Sequence, residues 1–381
     1  MSLHAKYPAL SDLRARARWR LPHFVWEFLD SGTGSDATKA HNRQALDAIR
    51  FTPSILHGEV EPDLTTTFLN QTFDLPFGIA PVGMSGLIWP NAEQHLARTA
   101  AAKSIPYTLS TVASQTPEDL SAAAAPDSWF QIYPPRDPEI LADMLNRARN
   151  AGFTTLVMTV DVPTGSRRER QARSGLTQPP SLTPRILSQI ALCPAWALGM
   201  AQNGMPRMRL IDNYSPDTKG LPSNAHAGYL LRTAPDWDYL KQVRDAWDGQ
   251  MMVKGVLRAE DAKALEKAGI DALWVSNHAG RQFDAAPASI EALPAIRAAT
   301  KLPLILDSGV ETGLDILRAF ALGADFVMLG RAWHYALAAL GAPGAAHLAE
   351  ILREDLKANM GQLGLTQLSQ AKTRLLTAKS P

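Results

Sequence analysis

His278 and Arg281 stand three residues apart in Leu273–Asp284, LWVSNHAGRQFD, directly after a short apolar run. That run, Leu273-Trp274-Val275, fits a strand buried on both faces. Imidazole is the side chain best suited to taking a proton near neutral pH. A guanidinium offers a rigid fork of donors that matches a carboxylate bidentately. Together they can hold and deprotonate one small acid. Isolated HxxR pairs are common on polar loops, so other signals are needed. Lys254 sits in VKGV, in an otherwise apolar run, where burying an ammonium without a partner would be costly. Asp307-Ser308-Gly309 and Leu329-Gly330-Arg331 are glycine turns after two further apolar runs. In barrel enzymes such turns, with adjacent helix N-termini, hold phosphates, and Arg331 adds charge.

The elements that must position these groups alternate regularly from residue 75 on. The short apolar runs are Phe77–Val82, Tyr107–Ser110, Trp129–Tyr133, Thr155–Val160, Met251–Val256, Leu273–Ser276, Leu304–Leu306 and Phe326–Leu329. Helical stretches lie between them, among them Ala92–Lys103, Pro138–Asn150, Ala259–Lys267, Ile290–Ala299 and Thr312–Ala321. Eight strands alternating with helices over about 250 residues predict an α/β protein with one (β/α)8 TIM barrel. The whole of 1–381 is then one domain, with a helical segment at 1–74 and an insertion at 167–234 after the fourth strand. A doubly wound sheet is the competitor, but its glycine fingerprint is missing. Gly32–Ala37 satisfies G-x-G-x-x-A formally, yet it follows the helical stretch Leu21–Leu29 where that motif requires a strand. Polar residues interrupt the apolar pattern almost only where strands end, from Gly83 and Ser110 to Gly330-Arg331. In a barrel those ends share one rim, where active sites are built.

Composition narrows the function classes. With 38 Lys and Arg against 37 Asp and Glu, the net charge of +1 gives no reason to expect nucleic acid. A single cysteine, Cys193, excludes an internal disulfide and any CxxC metal or redox motif. Arg14, Arg16, Arg18 and Arg20 precede no apolar h-region, so no secretory leader is expected and the chain reads as cytoplasmic. Their every-second-residue spacing spreads charge around a helix and favours a solvated segment. Within the insertion, residues 186–206 carry no charge. Pro194 and several polar residues argue against a bilayer span and favour an interfacial segment or a lid.

SNHAGRQFD, residues 276–284, closely resembles the SNHGGRQLD signature of the FMN-dependent 2-hydroxy acid oxidase and dehydrogenase family. Glycolate oxidase, mandelate dehydrogenase and the respiratory L-lactate dehydrogenases belong to it. The resemblance runs from about Leu10 to about Leu368 and includes the turn at Arg50–Pro53. It implies FMN as cofactor and oxidation of an L-2-hydroxy acid to the 2-oxo acid, with a quinone, another electron carrier or O2 as acceptor. His278 would be the base, oriented by Asp161 in TVDVP. Arg281 and Arg168 would grip the substrate carboxylate, with Tyr133 bonding it or the hydroxyl. Lys254 would lie against the flavin ring, beside Pro81, Val82, Gly83, Ser110, Gln131, Thr159 and Ser276. Asp307, Gly309, Gly330 and Arg331 would serve the phosphate end. Gly83, where several oxidases have alanine, leans toward a dehydrogenase. The insertion would contact the inner face of a membrane through 186–206, or act as a lid. A homo-oligomer, a tetramer by resemblance, is expected.

Three positions depart from the family pattern. Phe28 stands where a tyrosine in the N-terminal helix binds the carboxylate, which raises the alternative of a bulkier or non-standard hydroxy substrate. Glu311 stands where relatives carry arginine after the strand-seven turn. Ala279 replaces the usual glycine after the histidine. A non-catalytic flavin-binding barrel is the remaining competitor, and His278 with Asp161 argues against it, since such a module needs no base.

Overall fold

The computed structural model of the protein describes residues 2–124, 128–176, 182–214 and 234–376. A short antiparallel hairpin, β1 (Thr66–Phe68) and β2 (Gln71–Phe73), precedes eight parallel strands. These are β3 (Phe77–Ile79), β4 (Thr108–Ser110), β5 (Trp129–Ile132), β6 (Thr155–Thr159), β7 (Gln250–Val256), β8 (Ala272–Val275), β9 (Leu304–Leu306) and β10 (Phe326–Leu329). Their order, β3-β10-β9-β8-β7-β6-β5-β4, is that of a barrel, and a bridge between Ile79 and Tyr107 joins its two ends. The predicted (β/α)8 architecture is present, with every strand at its predicted place. The first strand stops at Ile79 rather than Val82, because Pro81 has no N–H to give to a ladder.

Strand periodicity explains how the chain makes a floor and then a site. Trp129, Val157, Met252, Trp274, Ile305, Phe326 and Met328 pack inside the barrel as a cluster distinct from the larger one under the helices. Phe68 and Phe73 of the hairpin join this cluster from below, with Phe68 5.4 Å from Phe326 between ring centroids. Side chains two residues apart share a strand face. The next inward positions are therefore Gln131, Thr159, Lys254, Ser276, Asp307 and Gly330. One step further come Tyr133, Asp161 and His278.

The N-terminal segment covers this rim. The Leu10–Arg20 helix buries Leu10, Leu13 and Ala17 and packs on the Arg331–Leu340 helix. Its arginines correct the expectation of a solvated segment. Arg16 and Arg20 donate to the carbonyls of Ala339 and Ala338 (both 2.8 Å), and Arg14 pairs with Asp30 at 2.7 Å. Unpaired carbonyls at a helix C-terminus attract cations, which an alternating pattern does not reveal. The His23–Asp30 helix follows, and the Gly32–Ala37 pattern links it to the Ala37–Ala48 helix with no strand before it.

Of the predicted insertion, 177–181 and 215–233 lie outside the described residues. The rest includes helices Glu169–Arg173, Pro184–Ala191, Pro194–Asn203 and Arg209–Asp212. Ile186, Trp196 and Met200 face inward, while Leu187, Leu192, Leu198 and Met205 are exposed. Trp19 is 84% exposed, and its carbonyl oxygen lies 4.0 Å from the Cys193 sulfur. Among the described residues no helix is long and apolar enough to cross a membrane.

Candidate active site

Lys254 leaves β7 into the barrel, level with Thr159 and Trp274 on its neighbours. The sequence left its partner open, and the structure supplies two carboxylates. Its Nζ lies 3.3 Å from Asp307 and 3.9 Å from Asp161, donates to Ser276 Oγ at 2.8 Å, and sits over the Trp274 ring. Burial works against the ammonium, but Asp307 and Asp161 outweigh it and hold its pKa above the ordinary lysine value.

His278 and Asp161 meet above this lysine. The Nδ1 of His278 is 2.9 Å from Asp161 Oδ1. The carboxylate only accepts, so Nδ1 carries the proton and Nε2 keeps its lone pair. Burial lowers the imidazole pKa, Lys254 and Arg168 add to this, and Asp161 opposes it. The ring is therefore neutral at physiological pH.

Two features hold this pair in place. β7 carries an irregularity between Lys254 and Val256, where Gly255 adopts φ 110°. A Cβ on Gly255 would lie 2.5 Å from the Asp161 Cβ, so only glycine lets the carboxylate approach. A glycine inside a strand pattern marks such an approach, and that signal was available in VKGV. On the other side, His278 and Ala279 have φ of 56° and 54°. Consecutive left-handed non-glycine residues store strain of about 1–2 kcal/mol each. The turn is pinned by Ser308, whose Oγ accepts from Ala279 N at 3.0 Å, and by the reciprocal Asn42–Asn277 amide pair at 2.7 and 2.9 Å. Ser308, Asn42 and Asn277 were not among the expected site residues. Ala279 thus departs from the family's glycine at a position whose backbone favours glycine.

A cavity of about 660 Å3 opens over these groups. Of the residues expected at the site, it is lined by Phe28, Pro81, Val82, Gly83, Tyr133, Arg168, Lys254, His278, Arg281, Asp307, Gly309, Gly330 and Arg331. Ser110, Gln131, Thr159, Ser276 and Asp161 do not line it and are buried or half-buried beneath. Ser110 donates to Gln131 Oε1 at 2.8 Å.

Four arginines line the cavity. Arg207 pairs with Asp212 at 2.7 Å, whereas among the described residues no carboxylate lies within ion-pairing distance of Arg168, Arg281 or Arg331. Arg281 donates to the carbonyls of Phe28 (2.9 Å), Leu29 and Ser31 (both 3.3 Å), and its guanidinium lies over the Phe28 ring. Arg331 bonds the carbonyls of Leu29 and Ser31 at 3.1 and 2.9 Å, and Arg168 bonds Ser166. Burial, with Arg168 and Arg331, holds the Arg281 pKa well below the usual arginine value. Such a cluster is relieved by an anion.

A parallel barrel whose rim carries a buried lysine, a histidine–aspartate pair and arginines free of carboxylates is that of a TIM-barrel enzyme able to bind an anion and move a proton. The FMN-dependent dehydrogenase family profile matches residues 17–378, and the chain belongs to that family. It is an FMN-dependent 2-hydroxy acid dehydrogenase, L-lactate dehydrogenase-like in sequence. It is 39% identical over 368 residues to the L-lactate dehydrogenase of Pseudomonas aeruginosa, covering 95% of this chain and 96% of that one. The L-lactate dehydrogenase of Caulobacter vibrioides is 38% identical over 377 residues, with 97% and 98% covered. Among solved structures, the monotopic membrane protein (S)-mandelate dehydrogenase superposes with a TM-score of 0.91 at 32% identity, covering 97% of this chain and 99% of its own. A soluble mutant of the Pseudomonas putida enzyme gives 0.82 at 32% identity, with the same shares covered.

The residues present fit FMN. Gln131 Nε2 and Thr159 Oγ1 are buried at the strand ends without a hydrogen-bonding partner among the described residues, as suits groups that meet a polar ring edge. Lys254 would face the part of the ring that gains negative charge, and the glycine turns after β9 and β10 would meet the phosphate.

Proposed function

We propose that the chain oxidises an L-2-hydroxy acid with a side chain bulkier and more apolar than that of lactate to its 2-oxo acid. The observation that carries the chemistry is the His278–Asp161 pair opening onto the same cavity as Arg168 and Arg281. The two arginines hold the substrate carboxylate, and Tyr133 bonds it or the hydroxyl. His278 Nε2 takes up the proton released, and Asp161 stabilises the imidazolium that results. Bound FMN supplies the two-electron sink. Lys254, whose charge Asp307 and Asp161 already compensate, would offer it a fixed positive charge. The apolar preference is supported by Phe24, Leu176, Ile186, Ile190 and Met208 on the cavity wall. Phe28 presents its ring to Arg281 and offers no hydroxyl there.

The insertion supports contact with a membrane surface. Ile186 and Ile190 line the cavity, while Leu187, Leu192 and Leu198 of the same segment are exposed, as is Trp19, whose carbonyl lies 4.0 Å from the Cys193 sulfur. A membrane-borne quinone as electron acceptor suits that placement. The decisive experiment is anaerobic addition of glycolate, lactate, mandelate and longer aliphatic 2-hydroxy acids to the yellow holoenzyme. Bleaching at lower concentrations of the aryl and longer acids is expected. Equal bleaching by glycolate would remove the size preference, and no bleaching by any of them would remove the substrate assignment.

A further inference from the structure

Glu311 is the unpartnered acid of the cavity wall. Two carboxylates line that wall among the described residues: Asp307 is engaged by Lys254 and Ser308, whereas Glu311 makes no side-chain hydrogen bond or ion pair. It stands two residues past Gly309, and Gly330 and Arg331 of the turn after β10 line the same cavity. These are the two turns whose glycines and helix N-termini suit a phosphate.

The charged groups that act on Glu311 come from four helices. Arg14 belongs to the Leu10–Arg20 helix, Arg43 to the Ala37–Ala48 helix, Asp315 to the Gly313–Ala321 helix and Arg331 to the Arg331–Leu340 helix. The cations are largely committed elsewhere. Arg14 pairs with Asp30 at 2.7 Å, and Arg43 pairs with Asp315 at 2.5 Å and Asp47 at 2.7 Å. Arg331 is bonded to the Leu29 and Ser31 carbonyls. Glu311 therefore faces the cavity without a fixed counter-ion among the described residues. Burial and the nearby Asp315 push its carboxyl above the usual glutamate value, against Arg14, Arg43 and Arg331.

A phosphate oxygen accepts hydrogen bonds and an ionised carboxylate only accepts them, so the two can bond only if a proton sits between them. An arginine at this position would instead carry its charge at every accessible pH. We propose that Glu311 makes retention of FMN depend on pH. Its carboxyl form donates a hydrogen bond to a phosphate oxygen, and its carboxylate form repels the phosphate. The cofactor is held tightly in mildly acidic conditions and released more readily as pH rises. This rests on the phosphate lying between the two glycine turns.

The test uses the holoenzyme, with cofactor release on dilution followed by recovery of flavin fluorescence, and riboflavin as the phosphate-free probe. Between about pH 5.5 and about pH 8.5, the wild-type dissociation constant for FMN is expected to rise on the order of tenfold more than that of E311Q. The second ionisation of the phosphate of free FMN, near pH 6, is common to both and cancels in the comparison. E311R should hold FMN more tightly than wild type at the alkaline end. Riboflavin affinity should be the same in all three, which also reports that each variant folds. Parallel pH profiles for wild type and E311Q overturn the inference, as does an equal effect on riboflavin. R331Q separates the layers of the argument. If it weakens FMN relative to riboflavin while E311Q changes nothing, the phosphate is where proposed and Glu311 is inert. If R331Q leaves the FMN-to-riboflavin ratio unchanged, the phosphate lies elsewhere and the inference falls with that placement.

Discussion

The Nδ1 of His278 lies 2.9 Å from Asp161 Oδ1, although 117 residues separate the two along the chain. The contact fixes which ring nitrogen faces the cavity and supplies a counter-charge once the ring is protonated. D161N is expected to lower kcat on the order of a thousandfold while the flavin spectrum stays intact. A variant within a few fold of wild type would show that the carboxylate does not assist the base.

The pH profile follows from the same pair. The imidazole titrates below its ordinary value of 6.5, because burial, Lys254 and Arg168 disfavour the cation more than Asp161 favours it. The base is active when neutral, so kcat/KM should be flat through neutrality and fall only at pH below 6.5. An inflection above that value would contradict the assigned environment.

Gly255 tests the positioning. A methyl there would lie 2.5 Å from the Asp161 Cβ and would force an alanine to φ near 110°. G255A should cost at least about tenfold in kcat by displacing the carboxylate, with a further loss of about 1–2 kcal/mol in stability. Unchanged kinetics would mean that the strand absorbs the methyl away from Asp161.

Much of this was legible in the sequence. Eight apolar runs with polar ends dictate a barrel and a single functional rim, and period-two spacing carries the eye from Trp129 to Gln131 to Tyr133, and from Trp274 to Ser276 to His278. What stayed hidden depends on partners distant in sequence. Nothing local to VKGV announces that Lys254 is neutralised by Asp307, and its glycine signals a close approach without saying that Asp161 makes it. Arg16 and Arg20 looked solvated because their targets are backbone carbonyls of a helix more than 300 residues away. Asn42 and Asn277 carry no signal except each other.

F28Y addresses the departure at the carboxylate clamp. Its ring already lies 5.6 Å from the Arg281 guanidinium. A hydroxyl added there should lower KM for small 2-hydroxy acids about fivefold, equivalent to about 1 kcal/mol for one buried hydrogen bond. An unchanged KM would place the carboxylate away from this ring.

Asp30 anchors the N-terminal cover. It accepts from Arg14 at 2.7 Å, Lys39 at 2.8 Å, Arg170 at 3.2 Å and Tyr335 at 2.7 Å. Burial opposes its charge, but Lys39, Tyr335 and Arg14 outweigh it and hold the carboxyl well below the usual range. A depressed folded pKa means that the stabilisation is present above the unfolded value of 3.8 and is lost as pH falls through the folded one. D30N should therefore cost about 3–5 kcal/mol at neutral pH, with the gap to wild type closing in acid. Chemical denaturation at several pH values measures both.

Arg281 and Arg331 each grip the backbone of residues 28–31, and both also face the cavity. The rim of the barrel and the beginning of the polypeptide are thus fastened by the same two rivets. Filling the pocket with anions tightens the collar as well as the catalyst, so occupancy can be read from outside, as slower trimming of the first thirty residues by a protease.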